Sequence, residues 1–578
     1  MRSRVLTVAV AVALACPLIG VTTAAAGVAT DGTEGRCTGP IRPAPLLTVE
    51  DCDSPGRILR KAAAVVPTPQ QLAFQRLETT AFTHYGMNTF TDLEWGLGTE
   101  PETLFAPENV DVDQWMRAYK AAGAKQVMLT VKHHDGFVLY PSRYTNHSVL
   151  ASDWWLDKNC PDLDPVRRAR AGAEANRTAP DAYWQVRDAG CENPQGDVFG
   201  EYVRAARAAG LKVGVYLSPS DGAELPKSRV DDQGRHPAGQ ARYANKSAAV
   251  PRTIPTLVDG DDRAGRPLPT FEYTVNDYNA YYLNQIYEVL TQYGQVDEFW
   301  MDGANPWRDE GIVEDYDFTA YYDLIHRLAP QAVLFQAAAG VRWVGNEKGI
   351  ARENEFSPVA MTADPRTDYA EWTYRGGAEA ADLGSRAAIT DPATRYLGWM
   401  PAEADVSIRP GWFFHRSQQP KSPAELVDLY RRSVGRNSVF LLNVPPGPDG
   451  RIAEADVRSL TSFGQSIKDT YRDANLLPRP WQPRGTTGEL ILDTGGRGFD
   501  QVVLGEDIAR GQHIERVTVD GLVDGRWQRL AEAGTVGYQR ILLLPEETTA
   551  QQLRVRVLQS RAEPRLSRVS VHRTAAPG

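Results

Sequence analysis

Val296-Asp-Glu-Phe-Trp-Met-Asp302-Gly-Ala304 runs an apolar segment into a carboxylate and then a glycine. Phe299, Trp300 and Met301 read as the last residues of a strand buried on both faces. Asp302 then stands where the strand emerges, and Gly303 lets the backbone turn sharply beside it. The C-terminal end of a barrel strand is the usual place for a catalytic group. A lone aspartate there can equally cap the next helix or open a turn. What surrounds it decides which.

Outward from this segment, short apolar strands alternate with amphipathic helices. Strands are expected at Thr80–Gly86, Lys125–Lys132, Leu211–Leu217, Ala332–Gln336, Arg395–Met400 and Ser438–Val444. Helices are expected at 112–122, 200–209, 276–292, 318–328 and 424–434. In the first of these, Val112, Trp115, Met116 and Tyr119 fall on one face. Such alternation predicts an α/β fold with a parallel sheet inside and helices outside. No Gly-x-Gly-x-x-Gly turn follows the first strand, so closure into a (β/α)8-like TIM barrel over residues 69–475 is favoured over an open sheet. The long polar segments 141–197 and 218–273 then read as strand-to-helix loops on the catalytic face.

Pro478, Pro480 and Pro483 mark a linker at 476–483, after which helical periodicity stops. Short alternating runs with turn residues between them predict a C-terminal β-sandwich over 484–578. At the other end, Met1-Arg-Ser-Arg4, the apolar run Val5–Val21 and the small residues Thr22–Gly27 predict a signal peptide over 1–26, hence a secreted protein, followed by a loop-rich leader over 27–68. Four of the five cysteines would survive cleavage, and neighbours pair as Cys37–Cys52 and Cys160–Cys191. A net charge of -10 without a basic, aromatic-interleaved run argues against a nucleic-acid partner. No later stretch is long and apolar enough to span a bilayer. Oligomeric state is not legible.

Polar residues gather where the predicted strands stop. His84-Tyr-Gly86 with Glu94-Trp95, Lys132-His133-His134-Asp135-Gly136, Tyr216-Leu-Ser218 and Trp300-Met-Asp302 all sit at such ends. Glu403-Ala-Asp405, leading to Trp412, forms a later group. Three of nine histidines converging with Glu94 and Asp302 suit either a metal site or a hydrogen-bonding cup for a polyhydroxylated ligand. Adjacent His133 and His134 on one strand would face opposite sides and could not both chelate one metal without a bulge or bend, which favours the cup and calls for no metal or cofactor. A cup around one carboxylate suggests glycoside hydrolysis, whose second carboxyl comes from Glu347, Glu353, Glu355, Glu403 or Asp405.

Together, His84-Tyr-Gly-Met-Asn-Thr-Phe with Glu94-Trp95, Lys132-His-His-Asp-Gly-Phe, Glu298-Phe-Trp-Met-Asp302-Gly and Phe440-Leu-Leu-Asn443-Val-Pro-Pro-Gly-Pro-Asp449-Gly450 resemble the α-L-fucosidases of glycoside hydrolase family 29. The resemblance runs from His84 to Gly450 and continues into the C-terminal module. It implies a retaining exo-glycosidase acting on a fucosylated oligosaccharide or glycoconjugate, with Asp302 as nucleophile. It also implies that His84, Glu94, Trp95, His133, His134, Tyr216 and Trp300 hold the fucose, Trp300 facing its methyl group. Arg342-Trp-Val-Gly-Asn-Glu347 is similar to the subgroup acting on α-1,3 and α-1,4 linkages of branched Lewis-type glycans. That makes Glu347 the implied acid/base, and Glu403, Asp405 and Trp412 the implied contacts to a branching galactose. A broader α-L-fucosidase acting on α-1,2-linked or simple aryl fucosides, an inactive fucose-binding protein and a histidine metalloenzyme remain the competing expectations.

Overall fold

The computed structural model describes residues 37–152, 154, 197–224, 247–258, 261, 263–303 and 315–575. Eight parallel strands form one sheet: β1 (Thr79–Thr83), β2 (Gln126–Lys132), β3 (Lys212–Leu217), β4 (Glu298–Trp300), β5 (Val333–Leu334), β6 (Arg342–Trp343), β7 (Ala402–Ser407) and β8 (Ser438–Asn443). Their order across the sheet is β5-β4-β3-β2-β1-β8-β7-β6. A parallel bridge between Phe335 and Val341 joins the two ends, so the sheet curls into the expected barrel.

Period-two alternation sorts the side chains of these strands. Phe82, Met128, Tyr216, Trp300, Val439 and Leu441 pack together inside the barrel. Their neighbours Ala81, Val127, Leu129, Val215, Phe299, Phe440 and Leu442 point outward into a second core against the helices. That double burial is why these strands read as apolar runs. The outer layer includes α1 (Val112–Ala121), α2 (Val198–Ala208), α3 (Asp277–Gln292), α4 (Phe318–Leu328), α5 (Pro423–Ser433) and α6 (Glu454–Thr470). Local sequence starts them: Asp111, Asp197, Asn276 and Asp317 accept from first-turn N–H groups, and Ser422 with Glu425 forms a capping box behind Pro423.

The alternation breaks in two places. Between β5 and β6 the chain turns without a helix, with Gln336 and Ala339 at positive φ. Between β6 and β7 it leaves the barrel altogether. There Tyr396–Trp399, expected to continue the alternation, instead pairs antiparallel with Pro358–Met361 and with Leu46–Thr48. The true seventh strand follows at once as Ala402–Ser407. Its two inward carboxylates broke the apolar pattern that would have marked it.

The leader is more structured than expected, holding that edge strand and a helix, Pro55–Ala63, started by Ser54. Cys37 and Cys52 are bonded as predicted. The expected signal peptide, and Cys160 with Cys191, lie outside the described residues. So does most of the segment 141–197. Within 218–273, Val250–Ile254 and Phe271–Val275 form a hairpin where only loop was expected. Among the described residues no helix is long and apolar enough to cross a membrane.

Beyond α6, a four-stranded and a three-stranded antiparallel sheet enclose their own apolar core. This β-rich module carries one strand the sequence did not signal, Leu566–His572. It is fastened to the barrel by polar contacts. Tyr538 donates to Glu78 at 2.8 Å, Gln512 accepts from the Ser357 N–H at 2.7 Å, and Arg540 pairs with Glu353.

Candidate active site

On β4, Glu298, Trp300 and Asp302 follow one another at every second position, so one row climbs the barrel lumen and ends in Asp302. Around Asp302 the ends of β1, β2 and β3 contribute His84, His133, His134 and Tyr216. Tyr216 donates its hydroxyl to Asp302 Oδ2 at 3.1 Å, and His134 Nε2 stands 3.4 Å from the same oxygen. The other nitrogen of His134 meets Ser218 Oγ at 2.8 Å.

The expectation that His133 and His134 face apart is corrected by the backbone. A bulge between Thr130 and Lys132 disturbs the end of β2, and both histidines lie beyond it. Their rings are 4.4 Å apart, and His133 stacks on Tyr216 at 5.7 Å. Gly136, at φ +88, closes the following turn, where a β-carbon would fall 2.1 Å from Asp221 Oδ1. Among the described residues no group of three His, Cys, Asp or Glu side chains is placed to hold a metal ion.

His84 is held in one tautomer. Asn443 Nδ2 donates to Ser407 Oγ and to the Trp412 carbonyl, which turns its Oδ1 toward His84. That oxygen accepts from both the backbone N–H and Nδ1 of His84, at 3.1 and 2.8 Å. Burial drives the His84 pKa down to about 3, despite this hydrogen bond, so the ring is neutral and its Nε2 presents a lone pair. Burial likewise depresses His133.

Glu94 and Trp412 form the next wall. The Trp412 N–H donates to Glu94 Oε2 at 2.8 Å, and its indole Nε1 reaches Glu347 Oε2 at 3.3 Å. His415, which the sequence reading passed over, meets Glu94 and Asp92 at 2.5 Å each. Burial alone would lower its pKa, but the two carboxylates hold it above the ordinary histidine value. Trp95 stands 53% exposed, edge-on to His134.

Glu347 stands exposed on the turn after β6, yet its carboxyl group is partly desolvated. That desolvation, reinforced by Asp302 and Glu94, raises its pKa against the pull of Trp412. The other expected acid/base candidates sit differently. Glu355 is buried between Arg342 and Arg352, and these cations lower its pKa against its burial. Glu353 faces Arg436 and Arg540. Asp405 is buried on β7, accepting from Trp343 Nε1 at 2.7 Å, with burial raising its pKa. A carboxylate absent from the expected set, Glu371, has its pKa raised by burial and by Asp302.

Gly303 also makes room for a neighbouring ring. Tyr369 donates to the Met301 carbonyl at 3.1 Å and accepts from the Gly303 N–H at 3.2 Å, and a β-carbon at 303 would lie 2.8 Å from the Tyr369 ring. Gly303→Ala is therefore expected to cost about 1–3 kcal/mol and to displace Asp302. Thermal melts and turnover check this; an alanine variant with unchanged Tm and turnover would contradict it.

Glu403 lies beneath the cup, 1% exposed, accepting from Trp300 Nε1 at 3.1 Å. Trp300 itself is 7% exposed and stacks on Phe335 at 3.8 Å, which leaves little of its ring to the cup. Glu403 and Glu298 hydrogen-bond each other, and burial raises both pKa values. A proton shared between the two acids would supply the donor that both Oε1 atoms otherwise lack. The fold thus favours protonated acids. This contribution to stability is complete below the ordinary carboxyl range and lost as pH rises through the raised values. Glu403→Gln keeps an acceptor for Trp300 and a permanent donor for Glu298, so the alkaline fall in Tm is expected to flatten. Glu403→Leu strands both partners, at about 2–4 kcal/mol. Equal Tm–pH curves for wild type and both variants would contradict the shared proton.

The α-L-fucosidase family profile matches residues 70–177 and 176–470. Alpha-L-fucosidase 1 of Arabidopsis thaliana is 30% identical over 547 residues, spanning 88% of this chain and 87% of that protein. A solved Bacteroides ovatus structure is similar at TM-score 0.73 and 35% identity, over 93% of this chain and 79% of that one. A Ruminococcus gnavus family 29 fucosidase, solved in complex with fucose, is similar at TM-score 0.66 and 27% identity, over 89% of this chain and 95% of that one.

Proposed function

This chain belongs to the α-L-fucosidase family, glycoside hydrolase family 29, and is a glycoside hydrolase acting on fucose; from that premise we propose a secreted exo-enzyme that removes terminal α-L-fucose with retention of configuration. Asp302 attacks the anomeric carbon as the glycosidic bond breaks, and Glu347 gives its proton to the departing oxygen. Water then attacks the fucosyl–Asp302 ester while Glu347 takes its proton, which frees fucose and Asp302. The observation that carries this reading is Asp302 at the end of β4, hydrogen-bonded by Tyr216 inside a cup of buried histidines of which His84 is held neutral, with Glu347 in electrostatic reach.

His84, His133 and His134 bind the sugar hydroxyls through ring nitrogens, and Glu94 adds a carboxylate braced by His415. Exposed Trp95 and half-buried Trp412 supply aromatic walls, whereas Trp300 acts mainly through the edge it turns to the cup. Asp405 and Glu403 serve a branching galactose only through the walls they support. The preferred linkage is α-1,3 or α-1,4 on a branched glycan, a reading supported by the 342–347 segment alone. Cleavage near Ala26 releases the mature chain, and 476–483 links barrel to sandwich.

The test measures fucose release from a Lewis-type trisaccharide, from 2′-fucosyllactose and from p-nitrophenyl α-L-fucoside, with NMR following the anomer first formed. Release of α-fucose from the trisaccharide alone supports mechanism and linkage together. Release mainly from the other two keeps the fucosidase and discards the linkage. The β-anomer as first product would discard retention, and activity lost to a chelator would revive the metal reading.

A further inference from the structure

A second concavity opens on the same face of the barrel, behind Tyr369. It has a volume of about 360 Å³ and is walled by the first turns of α3 and α4 and by the segment 367–372. Because barrel helices run opposite to their strands, those first turns lie at the catalytic end. Asn276, Asp317, Thr319 and Asp368 give it hydroxyl, amide and carboxylate groups, and none of its described lining residues is Lys, Arg or His. Trp372 stands at its edge 55% exposed, held at a fixed tilt by Phe318 at 5.6 Å and Tyr369 at 5.3 Å. An indole braced yet left open to solvent beside hydrogen-bonding groups is what a sugar ring needs: an apolar face to cover one side and donors and acceptors for its hydroxyls. The absence of cations among these residues, with Asp315, Asp317 and Asp368 present, disfavours anionic ligands.

Tyr369 is the partition between this concavity and the catalytic carboxylate. Its ring lines the one, and its hydroxyl bonds the backbone on either side of Asp302. We propose that the concavity is a subsite for a neutral portion of the glycan remote from the fucose, with Trp372 as its stacking platform. This rests on the fucosidase reading for its ligand class.

Binding, rather than turnover, tests it first. A neutral, non-fucosylated tetrasaccharide of galactose and N-acetylglucosamine is titrated into the full chain while indole fluorescence is followed. Wild type and Asp302→Asn should bind it saturably and alike, and Trp372→Ala about tenfold more weakly. A sulfated analogue should bind at least fivefold more weakly than the neutral sugar. Thr319→Trp, which fills the concavity from an exposed position, should abolish binding while leaving p-nitrophenyl α-L-fucoside turnover unchanged. No saturable binding, binding equal in Trp372→Ala, or binding displaced by free fucose would overturn the proposal. Because these arms need no catalysis, they stand apart from a failure of the fucosidase reading, which only the turnover assays expose.

Discussion

Asp302→Asn is expected to lower turnover of p-nitrophenyl α-L-fucoside by on the order of 10⁴-fold or more while the fold survives. The amide keeps the size of the carboxylate, and Tyr216 can still donate to its oxygen, so the cup should assemble. What disappears is the nucleophile: a neutral amide forms no ester with the anomeric carbon, and the developing positive charge loses its counter-ion. The aryl fucoside is the right probe because its leaving group needs little help from an acid. A Tm within about 2 °C of wild type, by the usual scale of small surface changes, would show that packing is intact. Activity within tenfold of wild type would remove Asp302 from the role.

Glu347→Ala is expected to cost about 10²–10⁴-fold on a glycan, whose departing alkoxide must be protonated, and far less on the aryl fucoside. Azide should then rescue the aryl reaction by attacking the ester without a general base, giving a fucosyl azide. The pH profile gives an independent check. Burial, with Asp302 and Glu94 nearby, holds the Glu347 pKa above the ordinary carboxyl range, so the proton it donates persists toward neutrality. Activity should fall as pH rises through that raised value, and this alkaline limb should vanish in Glu347→Ala. Absence of azide rescue would point instead to Glu371, since Glu355 is tied between two arginines and Glu403 is sealed beneath Trp300.

Several expectations failed for reasons that local pattern cannot express. His133 and His134 were placed on opposite faces because alternation was carried past the end of β2, where a bulge had already broken it. Ala402–Ser407 was not recognised as a strand because Glu403 and Asp405 interrupt its apolar run. Yet both carboxyls tolerate the lumen by accepting from tryptophan indoles, and Glu403 also by its pairing with Glu298. His415 carried no spacing signal at all; it matters only because the chain returns to Glu94 more than three hundred residues later.

Amino-acid order alone determined five of the six barrel helices named above, most of its strands, the Cys37–Cys52 bond, the change to a β-rich module near residue 477 and the row that ends in Asp302. All of these follow from short-range physics, namely periodicity, caps, turn residues and neighbouring cysteines. Tertiary structure decided which strand ends face one another, and so which carboxylates act on Asp302. It also set the tautomer of His84 through Asn443 and the partition formed by Tyr369. Those depend on distances between residues far apart in the chain, and only closing the barrel sets them.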